Sequence, residues 1–478
     1  MANETAENAQ IISSDKRIFP FEEQQKIDIH DVSRIFINNR AVFKEQQKIN
    51  IHYEEDRKIF DAIKFNPNHG FMEAPKFLGL SRECTSYYIG AAWLTEDNST
   101  EYKNAVVVNP KQISNEVETD FIEMYVRALQ FAPSSEYFSK CYGIDLDQPA
   151  IECKTLNEQL TPLLIVHYLA VLKKIISHGL KKDYVIREEN LRSKVRGRIM
   201  LQKNLQKNIF VQRQDRVFCR FQEYTVDTIE NRLLKKALVF SDRFFNSLTS
   251  KSSSLNDLKR IISQAENAFV QVSDDIEVSQ IKVLKRNKLF KEYSEAIRLA
   301  KMILRRFDYS ITKTEMEQKS VPPFWIDMSR LYEIYVYSKL YEAYGDKILF
   351  QVEGWGGTAA DFVKTDEKII LDAKYKTHYQ DTNSPLLPDI REMSGYARDE
   401  KILKAMGINE KEEKIVPVIP CVIIYPGTED TSFFNNNHEP VPVMDLVKNR
   451  DLVKNKKCKI SGFKEFYKLC IKLPAIKH

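Results

Sequence analysis

The sequence predicts a multidomain α/β protein, with a mixed α/β N-terminal region, a helical middle and a C-terminal sheet flanked by helices. Its 478 residues are more than one hydrophobic core usually serves. Apolar residues recur at helical spacing through much of 155–320, whereas helical and strand patterns alternate after residue 320. A content of 43% hydrophobic and 29% charged residues is typical of a folded globular chain rather than a disordered or fibrous one.

Residues 1–154 form the first predicted domain, a mixed α/β region. Short apolar runs such as 105–108 predict strands, and a helical pattern lies near 116–129. The segment 23–30 nearly recurs at 45–52, where seven of eight positions are identical. Two copies are too few for a repeat architecture, so we expect a pair of similar strands.

Residues 155–320 form the second predicted domain, which is mainly helical with an Arg-rich strand segment at 194–221. The stretch 187–220 holds ten Lys or Arg residues and three acidic ones, so it could meet phosphate or be a solvated face. Helices are predicted at 163–180, 227–248, 254–269 and 284–307.

Residues 321–478 form the third predicted domain. Its patterns follow the order helix, three strands, helix, strand, helix, which implies a sheet flanked by helices. The helices are expected at 328–344, 389–406 and 463–469, and the strands at 348–352, 360–363, 368–376 and 415–425.

Charge, cysteines and short motifs exclude several classes of protein. The net charge of +5 is modest for this length, so it indicates no partner by itself. The seven cysteines form no CxxC pair and are odd in number, which argues against a disulfide framework or a zinc site. The first residues lack a basic stretch followed by an apolar run, and the longest apolar run, 163–176, is too short and too charged for a membrane span. With reduced thiols, a cytoplasmic protein is expected. The sequence holds no P-loop, so we expect this chain alone to bind no nucleotide.

A predicted hairpin carries the chemistry. A four-residue turn at 364–367 would place Asp361 opposite Ile370 and diagonal to Asp372, on one face of the sheet. Asp372 and Lys374 share that face because they are two residues apart on one strand. Metal-assisted phosphodiester hydrolysis needs such a set, since oxygen ligands hold Mg²⁺ and the ion activates a bound water. We therefore expect Asp361 and Asp372 to hold Mg²⁺ or Mn²⁺, and Lys374 to orient the water or stabilise developing charge.

The alternative interpretation is an ordinary amphipathic hairpin with solvated Asp and Lys side chains. The apolar run 369–371 indicates a buried strand, in which an unpaired Asp372 would be costly. This favours the functional interpretation.

Several motifs, in order, resemble the PD-(D/E)xK nuclease superfamily and, within it, the McrC family of modification-dependent restriction systems. The segment Leu371-Asp372-Ala373-Lys374-Tyr375-Lys376 resembles the nuclease strand of the family. Residues 325–333 resemble the first helix of its nuclease domain, 389–397 the following helix and 424–426 a later strand end. Upstream similarity lies at 195–199, 217–221 and 227–235, so the resemblance covers about 160–430.

The resemblance implies a Mg²⁺-dependent DNA endonuclease subunit with a PD-(D/E)xK α/β/α core. Its implied partner is a separate hexameric AAA+ GTPase, McrB-like, which recognises and translocates modified double-stranded DNA and is stimulated through residues 1–154. No membrane partner is expected. The alternatives are a non-catalytic assembly and regulatory subunit of the same complex, or a stand-alone PD-(D/E)xK nuclease.

The resemblance also adds residues to the site. Glu333 is expected either at the metal site or in an ion pair on the face of its helix. Where the family usually has Gln four residues before a Tyr, this chain has Glu392 before Tyr396, and positions four apart share a helical face. A carboxylate there could join the metal shell or repel phosphate. Ala360 replaces the family's Pro before Asp361.

Four basic residues are candidate DNA contacts. Arg196 and Arg198 flank a glycine in the Arg-rich segment and could bind DNA or lie against a partner. Lys376 and Arg391 belong to the nuclease-like motifs.

Overall fold

A computed structural model defines the fold of the chain in two compact units, Met1–Leu163 with Lys313–His478, and Leu164–Thr312. The first unit thus combines residues from both ends of the chain, and the predicted three-domain division stays a prediction. The similar segments 23–30 and 45–52 lie outside the described residues. The structure describes residues 10–13, 16–22, 87–93, 104–110, 119, 123–127, 137, 140–145, 148–152, 154–247, 253–276, 291–311, 320–376, 379, 387–408, 417–427, 431–448 and 458–474.

The described elements follow one another in a mixed order of strands and helices. The strands are β1 (Gln10–Ser13), β2 (Lys16–Glu22), β3 (Tyr88–Trp93), β4 (Asn104–Asn109), β5 (Tyr142–Ile144), β6 (Ile151–Glu152), β7 (Asp183–Arg192), β8 (Arg198–Ile199), β9 (Arg216–Thr225), β10 (Ser320–Val321), β11 (Phe324–Asp327), β12 (Ile348–Glu353), β13 (Ala359–Lys364), β14 (Ile369–Ala373), β15 (Cys421–Gly427) and β16 (Phe466–Lys472). The helices are α1 (Lys154–His178), α2 (Leu201–Asn204), α3 (Ile229–Ser247), α4 (Ser253–Ala268), α5 (Lys291–Ile311), α6 (Met328–Tyr344), α7 (Leu387–Tyr396), α8 (Glu400–Ala405) and α9 (Val443–Lys448).

One sheet of the first unit joins strands from the two ends of the chain, in the order β1-β2-β4-β3-β11-β5. β11 runs antiparallel to both β3 and β5, and its residues are buried. Gly90 of β3 allows this close approach, because a Cβ there would lie 2.1 Å from the carbonyl oxygen of Phe324. Asp327 then ends β11 and caps α6, accepting a hydrogen bond from the backbone N–H of Arg330 at 3.1 Å. The sheet therefore fixes the start of α6.

The second sheet of this unit has the order β12-β13-β14-β15-β16. β12, β13 and β14 are antiparallel, whereas β15 runs parallel to both β14 and β16. Every residue of β14 and β15 is buried, as expected for a sheet covered on both faces. Apolar residues of α7 and α8, including Met393 and Leu403, pack on one face. On the other face the ring of Tyr337 from α6 lies 4.7 Å from that of Phe350. The predicted mixed α/β class is confirmed.

Two expectations for this sheet are wrong. The predicted helix at 463–469 is instead β16, whose residues from Phe466 onward pair with β15. Short apolar runs suit either element, and here the free edge of β15 decides the outcome. The predicted helix at 389–406 is broken into α7 and α8. Asp399 caps α8 at the break by accepting a hydrogen bond from the N–H of Lys401 at 2.9 Å.

The second unit contains a small sheet with the order β7-β9-β8, and in it α3 packs against α4 and α5. The Arg-rich segment expected as a strand at 194–221 is interrupted, since α2 and a π-helical turn at Leu205–Ile209 separate β8 from β9. Buried Asp227 holds the start of α3, because its carboxylate accepts hydrogen bonds from Arg232 at 2.8 and 2.6 Å. Throughout the described part of the chain, the helices are too short or too polar to cross a membrane.

Candidate active site

The hairpin of β13 and β14 brings Asp361 and Asp372 together. Phe362 pairs with Leu371, so the preceding residue of β13, Asp361, lies opposite Asp372. The backbone N–H of Ala373 donates to Asp361 Oδ2 at 2.9 Å, which ties that carboxylate to β14. Asp372 is 1% exposed and Asp361 is partly buried. The two carboxylates share a face of the sheet, as the sequence predicts.

The observed register of the hairpin differs from the expected one, in which Asp361 lay opposite Ile370. The turn occupies 365–368, one residue later than expected, because Lys364 remains in β13 and pairs with Ile369. Lys364 is buried, and its Nζ lies 2.7 Å from Glu367 Oε1. A paired ammonium can stay inside the sheet, whereas sequence reasoning assigns a lone Lys to the turn.

Lys374 lies just beyond the end of β14 and connects two carboxylates. Its Nζ lies 2.9 Å from Asp372 Oδ2 and donates to Glu392 Oε2 at 2.8 Å. Burial alone would lower the pKa of Lys374, but the neighbouring charge of Asp372 and the contact with Glu392 outweigh it and raise that pKa above its ordinary range. Lys374 is therefore a cation at neutral pH, suited to stabilising negative charge and unsuited to accepting a proton.

Glu333 of α6 reaches the same hairpin through Gln351 of β12. The side-chain amide of Gln351 donates both to Glu333 Oε1 and, at 3.3 Å, to Asp361 Oδ1. The Tyr137 hydroxyl donates to Glu333 Oε2 at 3.0 Å. Burial raises the pKa of Glu333 to about 7, and the hydrogen bonds from Tyr137 and Gln351 oppose this rise to a smaller extent. These contacts turn Glu333 towards the hairpin, and its role at a metal site stays a prediction.

Sequence reasoning missed Gln351 and Tyr137. Gln351 stands on β12 between residues that pair with Phe362 and Ala360, so it faces Asp361. Its φ of 50° is left-handed, an unusual conformation for a residue other than glycine. For Gln351, the local sequence offers one indication of a role in the site, which is a polar side chain inside an apolar strand.

Glu392 and Tyr396 lie together at the site, one helical turn apart on α7. The Tyr396 hydroxyl donates to Glu392 Oε1 at 2.9 Å, while Glu392 Oε2 accepts from Lys374. The Glu392 side chain is 43% exposed, so solvent weakens its hold on the ammonium. Glu392 thus competes with other anions for Lys374.

The carboxylates of the site repel one another. Burial is the largest cause of the raised pKa of both Asp361 and Asp372, and for Asp361 the charges of Asp372 and Glu333 add to it. Asp372 Oδ2 is buried and accepts no hydrogen bond from the described residues, although Lys374 Nζ lies close to it. A divalent cation between Asp361 and Asp372 would offset this repulsion.

The two carboxylates at the site are oxygen donors of the kind that Mg²⁺ prefers. Among the described residues, no three His, Cys, Asp or Glu side chains are arranged to hold a metal ion together. Mg²⁺ needs fewer protein ligands, since one or two carboxylates suffice when waters and substrate oxygens complete its shell. Asp361 and Asp372 fit that requirement.

The candidate DNA contacts lie in different settings. Lys376 Nζ donates to buried Asp389 at 2.7 Å, which anchors α7 to the segment after β14. Arg391 is exposed on α7 beside the site. In the second unit, Arg196 lies 4.3 Å from the ring centre of Phe221, and Arg198 is exposed. Their roles towards DNA stay predictions.

A sequence model of the family described as the McrBC 5-methylcytosine restriction system component matches residues 99–388, more than half of the chain. The chain belongs to this McrBC component family. The matched range includes Glu333, Gln351, Asp361, Asp372 and Lys374, and it ends before Glu392 and Tyr396.

Two solved structures match the chain at low identity. One is the refined half-complex from a tetradecameric assembly of Thermococcus gammatolerans McrB AAA+ hexamers with bound McrC; it is 16% identical, covers 96% of this chain and 94% of its own, and has a TM-score of 0.36. The other is the cryo-EM structure of the Thermococcus gammatolerans McrBC complex, with 14% identity, 68% and 87% coverage and a TM-score of 0.28. No curated protein matches the chain in sequence.

Proposed function

We propose that this McrBC-family chain is the Mg²⁺-dependent endonuclease subunit of a modification-dependent restriction system. The observation that carries the proposal is the placement of Asp361 and Asp372 across one hairpin, with Lys374 Nζ 2.9 Å from Asp372. Buried like charges destabilise a fold unless something offsets them, so such a set is a marker of function. The sheet covered by α6 on one face and by α7 and α8 on the other supports a PD-(D/E)xK core.

The residues would divide the chemistry of phosphodiester hydrolysis as follows. Asp361 and Asp372 would hold Mg²⁺, which when bound lowers the pKa of a water ligand and polarises a phosphoryl oxygen. Lys374, held as a cation, would stabilise the charge that develops on the phosphate. Glu333 would act indirectly. It would position the Gln351 amide, which in turn would orient Asp361. Tyr396 would orient Glu392 beside Lys374.

We also propose that a separate McrB-like AAA+ GTPase hexamer supplies recognition and translocation of modified double-stranded DNA. The sequence has no P-loop of its own, so nucleotide hydrolysis must come from another chain. The family is described as a restriction system component, which implies further components. The two Thermococcus gammatolerans structures are named for McrB with bound McrC, and the proposal extends that assembly to this chain through the shared family.

One observation favours a second function, a non-catalytic assembly subunit. Glu392 stands where the resemblance expects Gln, and its carboxylate accepts a hydrogen bond from the Lys374 ammonium. The Glu392→Gln variant separates the two functions. An endonuclease should cut roughly two- to fivefold faster with Gln, because one partly exposed competing charge is removed. A non-catalytic subunit stays inactive with either residue.

The direct test uses the full chain with its AAA+ partner, GTP and a plasmid containing 5-methylcytosine. We expect cleavage in Mg²⁺ and none in EDTA, while GTP turnover in a metal-supplemented control shows that the complex is assembled. An assembled complex that turns over GTP but never cuts the plasmid in Mg²⁺ or Mn²⁺ would favour the non-catalytic function.

A further inference from the structure

The loop between β12 and β13 presents an exposed tryptophan on a closely held turn. The N–H of Gly354 donates to the Thr358 carbonyl at 2.8 Å, and the Thr358 hydroxyl donates back to the Trp355 carbonyl at 3.0 Å. The N–H of Trp355 donates to Asp399 Oδ2 at 2.7 Å. Gly354 is needed there, since a Cβ would lie 2.7 Å from the same oxygen. The turn is thus tied to the start of α8.

The exposure of this ring is unusual within the chain. Trp355 is 63% exposed, whereas Trp93 and Trp325 are 7% and 5% exposed. Isolated apolar side chains do occur on protein surfaces, so exposure alone indicates little. Here hydrogen bonds hold the backbone of the turn that carries the ring. Lys401 Nζ also lies 4.8 Å from the ring centre, which places a cation on the aromatic face.

Both chain segments that hold the ring lead directly from the candidate active site. The turn closes at Thr358, and β13 carries Asp361 three residues later. Asp399 follows α7, and its N–H donates to the Tyr396 carbonyl at 3.2 Å. Trp355 therefore lies at the end of the sheet from which β13 leads to Asp361, beside the start of α8.

The surroundings of the ring carry exposed cations. Arg398, Lys401 and Lys404 are all exposed on α8 or next to it. Asp399 and Glu400 lie among them and exposed Glu353 precedes the turn, so basic and acidic side chains are equal in number, and Lys401 is the cation that meets the ring. An aromatic ring beside cations matches the chemistry of nucleic acid, whose bases stack on aromatic rings while lysines and arginines meet the phosphates.

We propose that Trp355 stacks on a nucleobase or deoxyribose of the DNA substrate next to the scissile phosphate, with Lys401 meeting the adjoining phosphate. The proposal rests on the proposed nuclease function and adds a binding contact to it. Because hydrogen bonds already hold the backbone of the turn that carries Trp355, binding of DNA would order little further main chain, so the contact costs little backbone entropy. It orients the strand that enters the site between α7 and β13.

The test measures DNA binding by the full chain in Ca²⁺ without Mg²⁺, using a fluorescently labelled duplex that contains 5-methylcytosine and the matching single strand. Base stacking contributes roughly 1–3 kcal/mol, so Trp355→Ala should weaken binding about tenfold, and Trp355→Phe should restore most of it. Lys401→Gln should weaken binding less and reduce its salt dependence. The matched control is Val418→Ala, another exposed apolar residue of this unit, at 53% exposure, which should bind DNA normally.

Intrinsic fluorescence provides a second readout. Because the other two tryptophans are buried, DNA should quench the emission of the wild type and leave that of Trp355→Phe nearly unchanged. Preference for the single strand over the duplex would indicate stacking on an unpaired base, and equal affinity would indicate insertion at a groove. Wild-type affinity in Trp355→Ala, together with unquenched emission at saturating DNA, overturns the proposal.

Failure of this inference is distinguishable from failure of the nuclease function. A wild-type complex that cuts modified plasmid in Mg²⁺ while Trp355→Ala binds DNA normally contradicts only the tryptophan contact. A wild-type complex that neither binds nor cuts DNA contradicts both.

Discussion

Asp361 and Asp372 repel each other across the hairpin, and burial makes this repulsion stronger than it would be in water. Burial is the largest cause of the raised pKa of each carboxyl. A bound divalent cation would reverse the effect, because it turns two repelling ligands into one neutralised site. This repulsion therefore lowers the stability of the apo chain at the position proposed to bind the metal.

The first prediction concerns Asp372 and Lys374. Asp372→Asn keeps the size of the side chain but removes a ligand charge, so cleavage should fall to background while the apo chain gains thermal stability. Lys374→Ala should slow cleavage about 10²- to 10³-fold, as for the loss of one charge-stabilising group. Plasmid cleavage by the assembled complex measures both. Unchanged GTP turnover in the same samples is the control, and wild-type cutting by either variant contradicts the site.

The second prediction concerns Gln351, which positions Asp361. Gln351→Leu removes the donor shared by Glu333 and Asp361, and should weaken Mn²⁺ binding about 10- to 100-fold, as other ligand-orienting contacts do. Gln351→Gly removes the same donor but suits the left-handed φ of 50°. Calorimetric titration should show equal loss of metal affinity in both variants, with a lower melting temperature for Leu alone. Wild-type Mn²⁺ affinity in both would show that Gln351 has no role at the metal.

At the scale of elements, α1 and α5 enclose a buried histidine. His167 is fully buried, with Nε2 4.0 Å from Glu295 Oε1, and Arg298 and Lys174 are the nearby cations. Burial lowers the pKa of His167 to about 4, and the positive charges of Arg298 and Lys174 oppose the attraction of Glu295. The packed helices thus require a neutral imidazole.

The third prediction is acid sensitivity of the helical unit. An unfolded chain binds a proton at His167 with a pKa of about 6.5, whereas the folded chain resists it until about pH 4. Stability from this residue is therefore complete above pH 6.5 and is lost as the pH falls towards 4, by about 2 kcal/mol at pH 5. Urea unfolding followed by the helical circular dichroism signal at pH 7 and 5 measures the loss. His167→Gln should flatten the difference, and an equally steep difference in that variant would assign it to other groups.

At the scale of the whole molecule, the proposed function assigns cleavage and nucleotide hydrolysis to different chains. The fourth prediction is that the isolated chain cuts modified DNA poorly, whereas the complex with an AAA+ partner and GTP cuts it efficiently. The measurement compares plasmid cleavage with and without partner and GTP at equal chain concentration. Strong GTP-independent cutting by the isolated chain would contradict the partner requirement, while leaving the site itself intact.

By itself the sequence determined the elements whose periodicity is local and strong. The helix predicted at 328–344 is α6 with the same bounds, and the strands around 348–352 and 360–363 are present. It also determined which residues bring carboxylates and an ammonium to one face, because alternation along a strand depends on the strand alone. The contact of Tyr396 with Glu392 follows from local spacing on α7, since positions four apart share a helical face.

Tertiary structure decided whatever depends on partners distant in the chain. Lys364 stayed in the sheet, where it pairs with Ile348 of β12, and most of 463–469 became a strand because β15 offered a free edge. Gln351 entered the site through contacts with Glu333 and Asp361, and Tyr137 through a contact with Glu333, 196 residues away. Local sequence carries propensity and polarity, whereas register, pairing and burial follow from long-range contacts, whose energies no short window contains.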